Sequence, residues 1–365
     1  MRERIIYIDI LRILATFAVV FAHSAAFPIY DNNLNTINWQ FGIFYGSLTR
    51  WCVPMFVMIS GVFFLQNERG KNYNQSIKSE YKKIISKNIF RISTALIIWG
   101  MFYGTINLIR ESAASDSFAI SPVQIVKIFY NIIFGIPHYH LWFLYLIIGL
   151  YILSPLLKIF VANATKTTLE LFLLLFLSFG VGLNLINSFL EIFNFKGFYF
   201  SEILPEFSGY IGYFVAGYYF ANFNLSDKCK KYLYILAFLS VLLTIIGTSI
   251  LSLYFGKYIN ILYENLALNT AFVTFGIFIL IKNNFKNSKF SPQISEKIIK
   301  ISSLTFGIYL IHAFILSFLA NLLKLGNFWN YAGILVPILA VVVFFISLFL
   351  IKILSKIAFF KKYAM

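Results

Sequence analysis

The sequence predicts an all-α integral membrane protein of about ten transmembrane helices with both termini cytoplasmic. Three observations carry that expectation: an apolar composition, the recurrence of runs long enough to cross a bilayer, and the side on which the basic residues fall. Of the 365 residues, 60% are hydrophobic and only 12% charged, with a mean hydropathy of +0.80, whereas soluble domains carry roughly a quarter charged residues. A crossing helix needs about 20 apolar residues. Such runs fall at about 5–27, 41–65, 89–110, 140–161, 168–190, 206–222, 232–255, 266–282, 303–323 and 331–354. An even count puts both termini on one side. Of the 30 Lys and Arg residues, 23, counting Arg91 at the edge of the third run, sit in the termini and in the second, fourth, sixth and eighth connections, which by the positive-inside rule are cytoplasmic. The net charge of +16 is therefore mostly a topology signal. The lipid bilayer is the expected partner and nucleic acid is not. Residues 1–365 read as one membrane domain with no appended soluble domain, since the longest connection, about 111–139, is short.

Taken in order, the first run carries Asp9 and Arg12 and passes Pro28 without a small-x-small cleavage site, so it reads as a retained helix and not a signal peptide. Asp9 and Arg12 are three apart, share a face and can pair. The eleven-residue step to His23 is about three turns and about 16 Å, so the imidazole lies on the same stripe. Charge in hydrocarbon costs several kcal/mol unless paired or wetted. Two readings stay open at this point: a functional stripe, or a structural Asp9–Arg12 pair with a wetted histidine further out. Ser24, about 100° round from His23, has no motif supporting it as a nucleophile.

The second run opens "TRWCVPMFVMISGVFF", with Arg50 at its outer face and Ser60-Gly61 suited to close helix approach. The 111–139 connection holds "SPVQIVKIFYNIIFG", spaced for a short amphipathic helix on the outer surface. The fourth run begins "PHYHLWFLYL", which sets His138, His140 and Trp142 at the outer face, where anchoring is the commoner role. "GYIGYFVAGYYF" and "FNFKGFYF" suit interfacial aromatic belts. His312 lies mid-span and suits either a hydrogen-bonded core histidine or a functional one. Cys52 and Cys229 fall on opposite sides and should not pair.

Four histidines without HExxH or His-x3-His spacing predict no metal site. No phosphate-binding loop, dinucleotide fingerprint or GxSxG elbow is present in a supporting context. Histidine-centred acid–base chemistry in a membrane cavity, or transport, is what remains.

At "YIDILRILATFAVVFAHS", "VPMFVMISGVFF", "HLWFLYLIIGLYILSPLL", "GYIGYFVAGYYFAN" and "LTFGIYLIHAFIL", in that order, the chain resembles the acyltransferase 3 family. The resemblance implies a bacterial inner-membrane, multi-pass enzyme. It would move an acyl group, commonly acetyl, from cytoplasmic acyl-CoA to a hydroxyl of a surface or lipid-linked glycan. Acetyl-CoA would be its donor substrate, and no cofactor would be permanently bound. The stand-alone O-acetyltransferases of envelope glycans look most similar. The exporter-like proteins of poly-N-acetylglucosamine operons supply the alternative, a glycan translocase without acyl transfer.

Carried over by residue, the family's basic-x10-His signature falls on Arg12 and His23, with Asp9 as the acid before it, and these three are the catalytic candidates. His23 would be the base that activates an acceptor hydroxyl, or would take part transiently in acyl passage, and Arg12 would hold an anionic part of the donor or a developing charge. The family's basic motif at the start of the third helix falls on "YKKIISKNIFRIS". Arg91 matches its second basic residue, Asn88 stands at the first, and Lys87 supplies nearby charge, so Arg91 and Lys87 are the acyl-CoA-binding candidates; Lys82 and Lys83 fit a plain inside-positive loop better. His140, Trp142, Arg50 and His312 are the acceptor-binding candidates.

Overall fold

The computed structural model describes residues 4–30, 34–66, 77–114, 122–197, 207–323, 331–360 and 363. Arg2, Arg69, Lys71, Lys324, Lys361 and Lys362, which entered the topology argument, lie outside them. The described residues form helices α1 (Ile6–Tyr30), α2 (Ile37–Ser47), α3 (Cys52–Phe64), α4 (Ile77–Lys83), α5 (Phe90–Ala114), α6 (Pro122–Phe134) and α7 (Trp142–Asn163). They continue with α8 (Lys166–Leu175), α9 (Leu183–Ile192), α10 (Phe207–Asn222), α11 (Asp227–Phe255), α12 (Leu268–Phe285), α13 (Pro292–Leu322) and α14 (Ala332–Leu354), and include no strand. Nine stretches among them are long and apolar enough to cross a membrane. The sixth expected span is α10, whose 16 described residues fall short of that length. The protein is an all-α, multi-pass membrane protein.

Two crossings differ in layout from the sequence reading. The second begins at Ile37, where Thr36 caps α2 by accepting from the Trp39 amide, and runs to Phe64 through a break between α2 and α3. Arg50 therefore sits inside a crossing, about 20 Å along it at 1.5 Å per residue, and not at its end. The third runs without interruption from Lys78 to Ala113, with Ile84–Ile89 wound as a π-helix.

α1 is the central helix, packed against α2, α3, α12, α13 and α14. α3 and α10 cross most intimately, because a Cβ at Gly61 would overlap the carbonyl of Phe214 and one at Gly217 the carbonyl of Met58. Small residues let the backbones touch where lipid offers no hydrophobic drive to association. The α10 aromatics suggested as a belt are core instead. Tyr213 and Phe214 are fully buried, and the Tyr213 hydroxyl donates to the Asn265 carbonyl at 2.9 Å. Phe193 and Phe195, from the other proposed belt, are exposed. The short helix expected before the fourth span is α6. Its Ile128 and Ile132 pack on Gly104 and Gly100 of α5, while Val123, Val126, Tyr130 and Phe134 are exposed. Cys52 is buried and Cys229 exposed, both free.

Candidate functional site

Two cavities open along one stripe of α1. The first, about 430 Å³, is lined by Arg4, Arg12, Lys87, Asn88 and Arg91 together with Ser60, Tyr151, Ser302 and Tyr309. The second, about 900 Å³, is lined by His23, Arg50, Tyr139, Tyr258, Tyr263 and Glu264. They share no lining residue. Between them Thr16, Val19 and Val20 keep the α1 stripe buried.

The Arg12 cavity is basic because three elements bring charge to one place. On α1, the Arg12 guanidinium lies over the Phe63 ring at 4.7 Å. The π-helical turn puts Lys87 and Asn88 on the cavity wall, and Arg91 follows one turn on, its guanidinium 5.9 Å over the Phe306 ring. π-turns recur at functional sites because the extra residue re-aims side chains. Lys82 and Lys83 are exposed and do not line the cavity, but they lie in helix α4 and not in the loop that the sequence suggested.

Asp9 does not pair with Arg12. Arg4, which the sequence reading left unassigned, donates Nε to Asp9 Oδ2 at 3.0 Å and Nη2 to Oδ1 at 3.3 Å. Ser302 Oγ of α13 donates to the same carboxylate at 2.5 Å. Arg4, five residues upstream and just before α1, takes the acid that helical spacing assigns to Arg12. Asp9 is buried and off the cavity wall, where it fixes Arg4 and ties α1 to α13.

The His23 cavity is backed by the other three histidines, which completes the chain's four. His23 stacks on His312, centroids 5.2 Å apart and planes at 28°, with the Tyr139 ring edge-on at 4.9 Å. His312 meets the His140 ring at 5.2 Å, and His140 shares a 2.8 Å Nδ1–Nδ1 hydrogen bond with His138. Carbonyls only accept, and that fixes the tautomers. His312 Nδ1 donates to the Tyr309 carbonyl at 2.6 Å, so in the neutral ring Nε2 carries the lone pair. That Nε2 is buried without a hydrogen-bond partner among the described residues. His140 Nε2 donates to the Leu310 carbonyl at 3.4 Å, which leaves its Nδ1 to accept from His138.

His140 is thus part of the core behind His312 and not an interfacial anchor, and the partly exposed His138 hydrogen-bonds to it. His140 is 2% exposed. Burial, then the nearby Arg110, pushes the His138 imidazole down to about 4. Burial, then the charge that His312 would carry, depresses His140 well below the usual histidine range. Trp142 lines neither cavity and packs on Phe143 and Tyr210. The Ser24 hydroxyl is spent on the Val20 carbonyl at 2.9 Å. Tyr309 lines the Arg12 cavity, donates its hydroxyl to the His140 carbonyl and lies one turn before His312, so α13 forms the partition between the cavities.

Among the described residues no cluster of three or more His, Cys, Asp or Glu has metal-binding geometry. The arrangement offers a cationic socket at one cavity and an imidazole base at the other. Over residues 5–355 the chain matches the family model described as an acyltransferase domain. No curated protein and no solved structure matches it.

Proposed function

The chain belongs to the acyltransferase 3 family of membrane acyltransferases, matched over residues 5–355, and from that premise we propose that it is an O-acyltransferase carrying acetyl from acetyl-CoA to a hydroxyl of an envelope glycan. The observation that carries this reading is the arrangement of Arg12 and His23 on one helix, one facing a basic cavity and the other a histidine-backed one. Coenzyme A is polyanionic, and Arg4, Arg12, Lys87 and Arg91 suit its phosphates, the arginines as forks and the lysine as a point charge. Arg12 is about 16 Å from His23 along α1, so its place is on the donor and not at the oxyanion.

The chemistry at the second cavity falls to His23. Its unprotonated ring nitrogen takes the proton of the acceptor hydroxyl while the oxygen attacks the thioester carbonyl. The tetrahedral intermediate then expels the thiolate of coenzyme A, which is reprotonated, and the acceptor leaves as an ester. A positioned imidazole contributes about 10²–10⁴-fold to such a transfer. The acyl group reaches His23 by displacing the Tyr309–His312 partition. With the basic cavity facing the cytoplasm, donor and acceptor meet from opposite sides of a bacterial inner membrane.

The test is labelled acetyl-CoA incubated with membranes bearing the wild type or His23→Ala. Label in glycan from the wild type alone supports transfer. Equal incorporation by the variant overturns the assignment, and glycan crossing without label supports a translocase.

A further inference from the structure

Arg50 occupies an unusual position for a cation. It lies in the break between α2 and α3, inside a crossing of 28 residues, and is only partly exposed, on the wall of the His23 cavity. Among the described residues its Nε is buried without a hydrogen-bond partner, and no carboxylate forms an ion pair with its guanidinium. The guanidinium carbon lies over the Tyr263 ring, 4.5 Å from its centroid. Tyr263 is a fixed platform, 6% exposed, with its hydroxyl lodged where a Cβ on Gly46 would be. The acidic residue lining this cavity, Glu264, is exposed and is held by the Asn260 side chain.

A partly desolvated guanidinium in a membrane crossing is costly unless an anion meets it. Arg50 is also the basic residue lining the cavity that holds His23. Tyr30, Tyr139 and Tyr258 around it offer faces of the kind that sugar rings stack on. Irregular backbone within a crossing is tolerated where it lines a cavity, and such breaks recur at substrate sites.

Resting on the reading of this cavity as the acceptor side, we infer that Arg50, on its Tyr263 platform, is the subsite for a negatively charged group of the acceptor, a carboxylate or phosphate borne by the glycan or its lipid carrier. Arg50 holds that group while a neighbouring hydroxyl lies at His23. The acceptor is therefore an acidic or lipid-phosphate-linked sugar, and a neutral glycan lacks the group the site selects.

The experiment is thermal unfolding of the purified protein in phosphatidylcholine nanodiscs. The probes are methyl glucuronide and glucose 1-phosphate, with neutral methyl glucoside as the control. At least one anionic probe is expected to raise the midpoint at concentrations where the neutral sugar does not. Arg50→Gln should weaken its binding roughly tenfold or more, the scale of a charged hydrogen bond. Arg50→Lys, which keeps the charge and loses the fork, should fall between and guards against misfolding of the glutamine variant. Equal binding of neutral and anionic probes, no binding of any, or unchanged anion binding in a folded Arg50 variant overturns the inference. Loss of the glucuronide shift in discs containing phosphatidylglycerol assigns the anion to a lipid, and its persistence assigns it to the glycan; both support the subsite. Labelled acetyl transfer on the same preparations tests the acyltransferase reading separately, since anion binding can persist where transfer fails.

Discussion

His312 stacks on His23 with the ring centroids 5.2 Å apart, while its Nδ1 donates to the Tyr309 carbonyl. The candidate base is therefore backed face-on by a second imidazole with a fixed tautomer, a stacking contact and not a hydrogen bond, since His312 Nε2 has no hydrogen-bond partner among the described residues. Asp9, the acid on the same helix, is some fourteen residues away and occupied by Arg4.

His312→Gln should lower kcat by about 10²-fold, the lower end of what positioned acid–base groups contribute, with KM for the donor little changed. Steady-state kinetics across pH check this. A variant with an unaltered kcat and pH profile shows that His312 only fills space.

Removing charge from the other cavity should act on the donor. Arg12→Gln and Arg91→Gln are each expected to raise KM for acetyl-CoA roughly tenfold, as loss of one charge-assisted contact does. Wild-type KM should also rise with salt. Donor titrations decide, and a fall in kcat alone would take these arginines off the donor.

The Arg4–Asp9 contact predicts a coupling of about 1 kcal/mol between Arg4→Ala and Asp9→Ala in unfolding. Arg12→Ala and Asp9→Ala should be closer to additive. A double-mutant cycle with the larger coupling on Arg12 would restore the pairing that helical spacing alone suggests.

Gly61→Ala places a methyl group on the Phe214 carbonyl, so the α3–α10 crossing has to open. Overpacking of this kind costs about 1–3 kcal/mol. A lower unfolding midpoint in detergent is expected, and an unchanged one would mean that the helices separate freely.

His138 gives the pH dependence a sign. Its native pKa of about 4 lies below the unfolded value of about 6.5, so the unfolded chain binds more protons between the two. Stability is full above about pH 6.5 and declines as pH falls toward about 4. Unfolding midpoints measured across that range should fall for the wild type and fall less for His138→Gln.

Much of this was legible from spacing. Apolar runs of crossing length gave most of the helices, because a hydrocarbon solvent enforces length and composition segment by segment. The Ser60-Gly61 pair read as a close approach and is one. Asn88 and Arg91, singled out by the family's motif, do meet Arg12 at one cavity. The second crossing starts at Ile37, four residues before the expected 41, because "INWQ" is polar, although Thr36 ahead of it was a capping signal. The α10 aromatics were misplaced because tyrosine serves an interface and a satisfied core equally well.

By itself, then, the sequence determined the membrane class, the helices and the stripe that carries Arg12 and His23, all of which follow from periodicity within single segments. The tertiary structure alone decided that four histidines dispersed between positions 23 and 312 converge, that Arg4 takes Asp9, and that Arg50 lines the His23 cavity. Those are contacts between helices distant in sequence, set by which faces pack together, and no local pattern encodes them.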